Sequence, residues 1–232
     1  MKLEICANSY QSSKNAQIAG ADRIELCSEL SVGGITPSYG LLKKVSENIT
    51  IPVNVLIRPR SGNFFYSDDE FKQMKTDIKI CKELGSNGIV SGILNADNTI
   101  DIKRTEELIQ LSKPLSFTFH RAFDCVTNPL ESLQQLINLG VDSILTSGLQ
   151  EKAIDGIELL SKLQETAQNK LTILAGSGIN PQNAIRFKKA GLKEIHTSAS
   201  KMIQQNSEKN YFDKAQTVSD IETIKEILNA IN

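Results

Sequence analysis

The chain predicts a single-domain (β/α)8 TIM barrel over residues 1–232, and three observations carry that prediction. Eight short segments rich in β-branched and other apolar residues alternate with amphipathic helical patterns along the whole length. A recurring glycine-containing phrase marks each return from helix to strand in alternate units. No linker divides the series, and the Gly-x-Gly-x-x-Gly turn expected of an open doubly wound sheet does not follow the first strand.

The phrase reads Ala19-Gly-Ala-Asp-Arg-Ile-Glu25, Leu84-Gly-Ser-Asn-Gly-Ile-Val90, Leu139-Gly-Val-Asp-Ser-Ile-Leu145 and Ala190-Gly-Leu-Lys-Glu-Ile-His196. In each, a glycine able to adopt the left-handed conformation ends a helix, and an apolar strand follows a short polar turn. The expected strands are Leu3–Cys6, Arg23–Leu26, Val53–Ile57, Gly88–Ser91, Ser116–His120, Ser143–Thr146, Thr172–Ala175 and Glu194–Thr197. Among the helices, Ser67-Asp-Asp-Glu70 is a capping box ahead of a stripe of Phe71, Met74, Ile78 and Cys81. Asn128-Pro129 and Asn180-Pro181 each read as an N-cap followed by proline in the first helical turn. Leu130, Leu133, Leu136 and Ile137 line one face of the fifth helix, and Ser219-Asp-Ile-Glu222 opens the last. The polar stretch from Ser198 to Val218 is long for a connection and reads as a lid or a mobile segment.

A net charge of −1, with no basic run, gives no surface for a polyanion, so nucleic acid is not an expected partner. Neither a signal region nor a membrane-spanning run is present, which predicts a soluble, cytoplasmic protein with no membrane partner. The four cysteines, Cys6, Cys27, Cys81 and Cys125, lack zinc-type spacing. In a reducing compartment they should be free thiols, available for packing, metal binding or catalysis.

Strand alternation then sorts side chains into helix-facing and barrel-facing sets. Glu4, Cys6, Arg23, Glu25, Cys27, Asn54, Leu56, Arg58, Thr118, His120, Glu194, His196 and Ser198 should face inward, with Arg60 a further candidate. Both histidines of the chain thereby fall at strand C-termini, where barrels of this kind build their sites. Buried alone, such charges would cost several kcal/mol each, so they must form a paired network or hold a ligand. Glu4, Glu25, His120 and His196 are the candidate acid–base residues. Arg58, Arg60 and Arg121 suit a small carboxylate or phosphate, and Gly176-Ser-Gly178 (with Ser177 at its centre) is a glycine-rich turn placed where such barrels bind anions.

Several of these segments together resemble the CutC family of copper homeostasis proteins. They are Ala21-Asp-Arg-Ile-Glu-Leu-Cys27, Gly33-Gly-Ile-Thr-Pro-Ser38, Ile57-Arg-Pro-Arg60 with Phe64 and Tyr66, Thr118-Phe-His-Arg-Ala-Phe-Asp124, and Leu145-Thr-Ser-Gly148. The resemblance implies a (β/α)8 barrel, a cytoplasmic homo-oligomer (a dimer), and an association with copper tolerance. It attributes copper binding to cysteines, and Cys6 with Cys27, at the tips of neighbouring strands, are the candidates for soft Cu(I). Two small inert interior thiols are the alternative there. Cys81, on a helix's apolar stripe, belongs to the packing. Beside a copper-binding protein, the inward residues equally fit an isomerase, lyase or hydrolase acting on a small anionic or phosphorylated metabolite.

Overall fold

The computed structural model describes residues 1–203 and 216–232. Eight parallel strands close into a barrel in sequence order: β1 (Lys2–Ala7), β2 (Arg23–Leu26), β3 (Val53–Leu56), β4 (Gly88–Ser91), β5 (Ser116–Phe119), β6 (Ser143–Thr146), β7 (Thr172–Gly176) and β8 (Glu194–Thr197). Closure is completed by β1 pairing with β8, Glu4 standing opposite His196. The helices are α1 (Tyr10–Ala19), α2 (Tyr39–Ser46), α3 (Asp68–Glu83), α4 (Ile102–Ser112), α5 (Pro129–Leu139), α6 (Ile157–Ala167), α7 (Ala184–Lys189) and α8 (Ile221–Ile231).

Local chemistry accounts for most boundaries. Ser67 and Glu70 form the reciprocal capping box that starts α3, and Asn128 caps α5 with Pro129 behind it. Losing such a cap costs about 1 kcal/mol. The glycine of each junction phrase, Gly20, Gly85, Gly140 and Gly191, has a positive φ. Two helix starts differ from the sequence reading. Asn180 accepts from the amides of Gln182 and Asn183 in a turn, and α7 begins only at Ala184. The last helix is capped by Asp220 rather than Ser219, because Ser219 is held in a strand.

That strand, β10 (Thr217–Ser219), pairs antiparallel with β9 (Ser200–Met202). The ribbon is anchored to α1, where the Ser219 amide donates to Ser12 Oγ and Asn15 Nδ2 donates to the Ser219 carbonyl. The expected lid or mobile segment thus begins and ends in this ribbon, and residues 204–215 of it lie outside the described residues.

The core divides along the alternation of the strands. Leu3, Ile5, Ile24, Leu26, Val53, Val55, Ile89, Phe117, Ile144, Ile173 and Ile195 pack outward against the helices in one large buried cluster. Each such side chain contributes about 1.5–3 kcal/mol by leaving water. The inward set is different. Cys6, Cys27, Leu56 and Val90 make a separate small apolar cluster, and around it the barrel interior is polar.

Candidate functional site

A cavity of about 620 Å3 opens at the C-terminal rim of the barrel. Its lining includes Cys6, Glu25, Arg58, Phe64, His120, Arg121, Ser177, Gly178, His196 and the ribbon-side residues Ser198–Ser200. Both histidines therefore meet at one rim, each carried there by the C-terminal end of its strand. Among the described residues no helix is long and apolar enough to cross a membrane.

One wall is an ion-pair network. The Glu4 carboxylate accepts from Arg23 Nε, from Asn54 Nδ2 at 3.2 Å and pairs with His196 Nδ1 at 2.8 Å. Arg23 reaches onward to Glu194 at 2.7 Å. Burial alone would push the Glu4 carboxyl up, but the His196 hydrogen bond and the Arg23 and His196 charges outweigh it and hold it at about 2. Burial likewise opposes the charged form of His196, yet the Glu25 and Glu4 carboxylates raise its proton affinity above the ordinary imidazole value. Glu25 is buried too, but lines the cavity and has no direct ion pair among the described residues. Burial lifts its carboxyl to about 7, and its Oε2 has no hydrogen-bond partner among the described residues.

Nearer the rim than Glu4, Cys6 Sγ lies 3.6 Å from Cys27 Sγ and 3.7 Å from Glu25 Oε1. The hydrogen bond with Cys27, followed by burial, keeps the Cys6 thiol well above its usual range. Cys6, Glu25 and His196 bring ligand atoms within 4.8 Å of one another. The loop beside them turns at Gly34, whose φ of +85° favours glycine and where a Cβ would stand 2.8 Å from Leu56 Cδ2 and 3.5 Å from Cys27 Cβ.

The facing wall is built differently. Arg58 is only 6% exposed, and its donors meet the backbone carbonyls of Val32, Gly34 and Gly62. No carboxylate pairs with it among the described residues, and its Nε has no partner. Phe64 bridges Arg58 and His120, with its ring centroid 5.0 Å from the guanidinium carbon and 4.9 Å from the imidazole. His120 Nδ1 accepts from the Ala122 amide at 3.2 Å, so in the neutral ring the proton sits on Nε2. Burial, reinforced by the Arg58 charge, lowers the His120 pKa to about 3 and keeps the ring neutral. Gly92 packs directly beneath, where a Cβ would stand 2.7 Å from His120 Nδ1.

Of the sequence candidates, the cavity gathers Cys6, Glu25, Arg58, His120, Arg121, Ser177, Gly178 and His196. Glu4 and Cys27 support it from behind. Gly176 closes β7, where a Cβ would stand 3.3 Å from His196 Cδ2. Arg60 is placed elsewhere: it pairs with Glu70 of α3 and donates to the carbonyls of Ser61, Asn63 and Phe65. Cys81 is buried in α3, its thiol pushed up to about 12 by burial, while Cys125 is exposed at the cavity edge. Asp124 emerges as an organiser that sequence reasoning gave no role. It accepts from Thr146, from the hydroxyl and amide of Ser147, from the Leu149 amide and from Arg121, tying the turn after β5 to the loop after β6.

Fold and cavity together define a closed (β/α)8 barrel with a buried, polar, thiol-bearing site at its C-terminal rim. The CutC family model matches residues 1–201, and the chain belongs to the CutC family. It is 48% identical over 199 residues to a CutC family protein of Edwardsiella ictaluri, covering 86% of this chain and 79% of that one. The CutC family protein of Proteus mirabilis is 47% identical over 218 residues, covering 94% and 86% of the two chains. Among solved structures, a protein named for copper homeostasis, CutC from Streptococcus agalactiae, superposes with a TM-score of 0.81 at 36% identity, covering 85% of this chain and 98% of that one. A thiamine phosphate pyrophosphorylase from Pyrococcus furiosus, at TM-score 0.64 and 16% identity over 99% and 95% of the two chains, shares the fold alone.

Proposed function

We propose that this protein serves copper homeostasis by holding Cu(I), as cargo, between the thiolates of Cys6 and Cys27. The observation that carries the reading is the 3.6 Å approach of two buried sulfurs, one of which faces the cavity. Soft sulfur ligands in apolar company suit Cu(I), and Leu56, Val90 and Leu30 supply that company. The likeness to a solved protein named for copper homeostasis supports the same conclusion. The same reading has the protein working in the cytoplasm, as a homodimer, where reducing conditions keep both thiols free.

Competition with a chromogenic Cu(I) chelator under anaerobic conditions tests the proposal. Cys6→Ser combined with Cys27→Ser should weaken Cu(I) binding by at least ~100-fold, because both first ligands are lost. His120→Ala should leave it within about threefold, since that ring lies on the facing wall. Binding must displace the Cys6 proton, so affinity should rise with pH through the neutral range. Equal affinity in the double serine variant would remove the proposal.

A further inference from the structure

Arg58 holds the Gly34 loop beside the thiols through a carbonyl, but the chemistry of its own wall is incomplete as it stands. Arg58 carries a permanent charge into a buried position, yet among the described residues every hydrogen bond it makes is to a neutral backbone carbonyl. Its neighbour His120 is 4% exposed, and the Ala122 amide occupies Nδ1, which leaves an Nε2–H donor with no acceptor among the described residues. A buried cation without a counter-charge and a buried donor without an acceptor are both costly. Here they flank one aromatic ring, Phe64, on the wall of one cavity. On the opposite wall Glu4 and Glu194 are engaged by Arg23 and His196, and Glu25 is held by the Cys6 thiol, so none of the three forms an ion pair with Arg58. Asp124 is taken up by Arg121 and the β6 loop.

We propose that His120, Arg58, Phe64 and Arg121 form a binding site for the oxyanion of a small metabolite, separate from the copper-binding thiols. An oxyanion supplies what the wall lacks: negative charge for the guanidinium and acceptor oxygens for the His120 Nε2–H. The uncharged imidazole then acts as a hydrogen-bond donor, and Phe64 packs against the body of the ligand. The cavity volume of about 620 Å3 falls in the range of small-molecule sites. Carboxylates and phosphates share this chemistry, and the ligand is the anionic end of either class.

The test uses metal-free full-length protein, titrated separately with inorganic phosphate and with malonate, following the two histidine side chains by nitrogen-15 NMR. The expected result is a saturable shift of the His120 Nε2–H resonance with at least one probe, which also identifies the class. His120→Leu should weaken that binding about tenfold, by removing a donor to a charged acceptor, while His120→Gln, which restores an N–H, recovers most of it. Gly92→Ala, which crowds the ring without altering its donor, should weaken binding in the same direction. Cys6→Ser with Cys27→Ser should bind the probe like the wild type, so this proposal and the copper reading fail separately. Absence of a saturable shift with either probe, or equal affinity in His120→Leu, overturns it.

Discussion

The two walls of the cavity use the same residue types to opposite ends. On one, His196 stands against Glu4 and near Glu25, and its proton affinity is raised. On the other, His120 stands against a phenyl ring and a guanidinium, and its proton affinity falls to about 3. The first wall pairs most of its charges internally, through the chain from Glu194 to Arg23, Glu4 and His196, with Glu25 outside that chain. The second leaves a cation without a carboxylate partner and a buried donor without an acceptor among the described residues, both on residues that line the cavity. The comparison teaches that a histidine at a barrel strand tip has no fixed role. What it can do is set by whether its neighbours are carboxylates or cations.

The largest test of this contrast is Glu4→Gln. It removes the carboxylate that Arg23, Asn54 and His196 share, leaving a buried guanidinium half-paired. Breaking a buried pair from one side costs about 3–5 kcal/mol, readable by urea denaturation. A loss under about 1 kcal/mol would show that the network is not held by Glu4.

Next in size is the response to pH, where the two walls oppose each other. A base whose folded pKa is lowered, as His120's is to about 3, contributes stability that is present above the ordinary imidazole value of 6.5 and lost as pH falls toward 3. His196, raised above 6.5, contributes stability that is full below that value and lost as pH rises through its folded pKa. His120→Leu should therefore flatten the acid side of the stability profile by a few kcal/mol, and leave the neutral-to-alkaline side unchanged. Denaturation midpoints across pH 4–8 check this. A variant that tracks the wild type throughout would mean that His120 is protonated as easily when folded as when unfolded.

The smallest expected effect belongs to Arg60→Ala. Its pairing with Glu70 is partly solvated, so the loss should stay under about 1 kcal/mol, and Cu(I) binding should not change. A marked fall in Cu(I) or oxyanion affinity would draw Arg60 into the site.

Much of this arrangement was legible in the residues. Period-two alternation placed Glu4, Glu25, Arg58, His120 and His196 on one inner surface, because the pleat of a closed barrel leaves a side chain only two directions. The glycine phrase located four of the helix-to-strand returns for a similarly local reason. Alternation still places Arg58 and His120, one or two residues past their strands, and fails further out. β3 finishes at Leu56, so Arg60 is free of its register and reaches Glu70 instead of the cavity. Asn180 shows the limit of capping motifs: its side chain closes a turn with Gln182 and Asn183 before the helix can start. Asp124 was hidden because most of its partners lie on the β6 loop, about two dozen positions away, and no local signal announces a contact of that kind. That Arg58 has no carboxylate partner among the described residues was equally invisible, since it depends on which carbonyls surround it in three dimensions.

With only two histidines in the chain, side-chain nitrogen NMR of the metal-free protein resolves each wall with one resonance pair. Titrated from pH 4 to 8, His120 should stay a neutral ring protonated at Nε2 throughout, while His196 should remain cationic past 6.5. Two rings that titrate together near 6.5 would contradict the account, because the walls would then impose no difference on them.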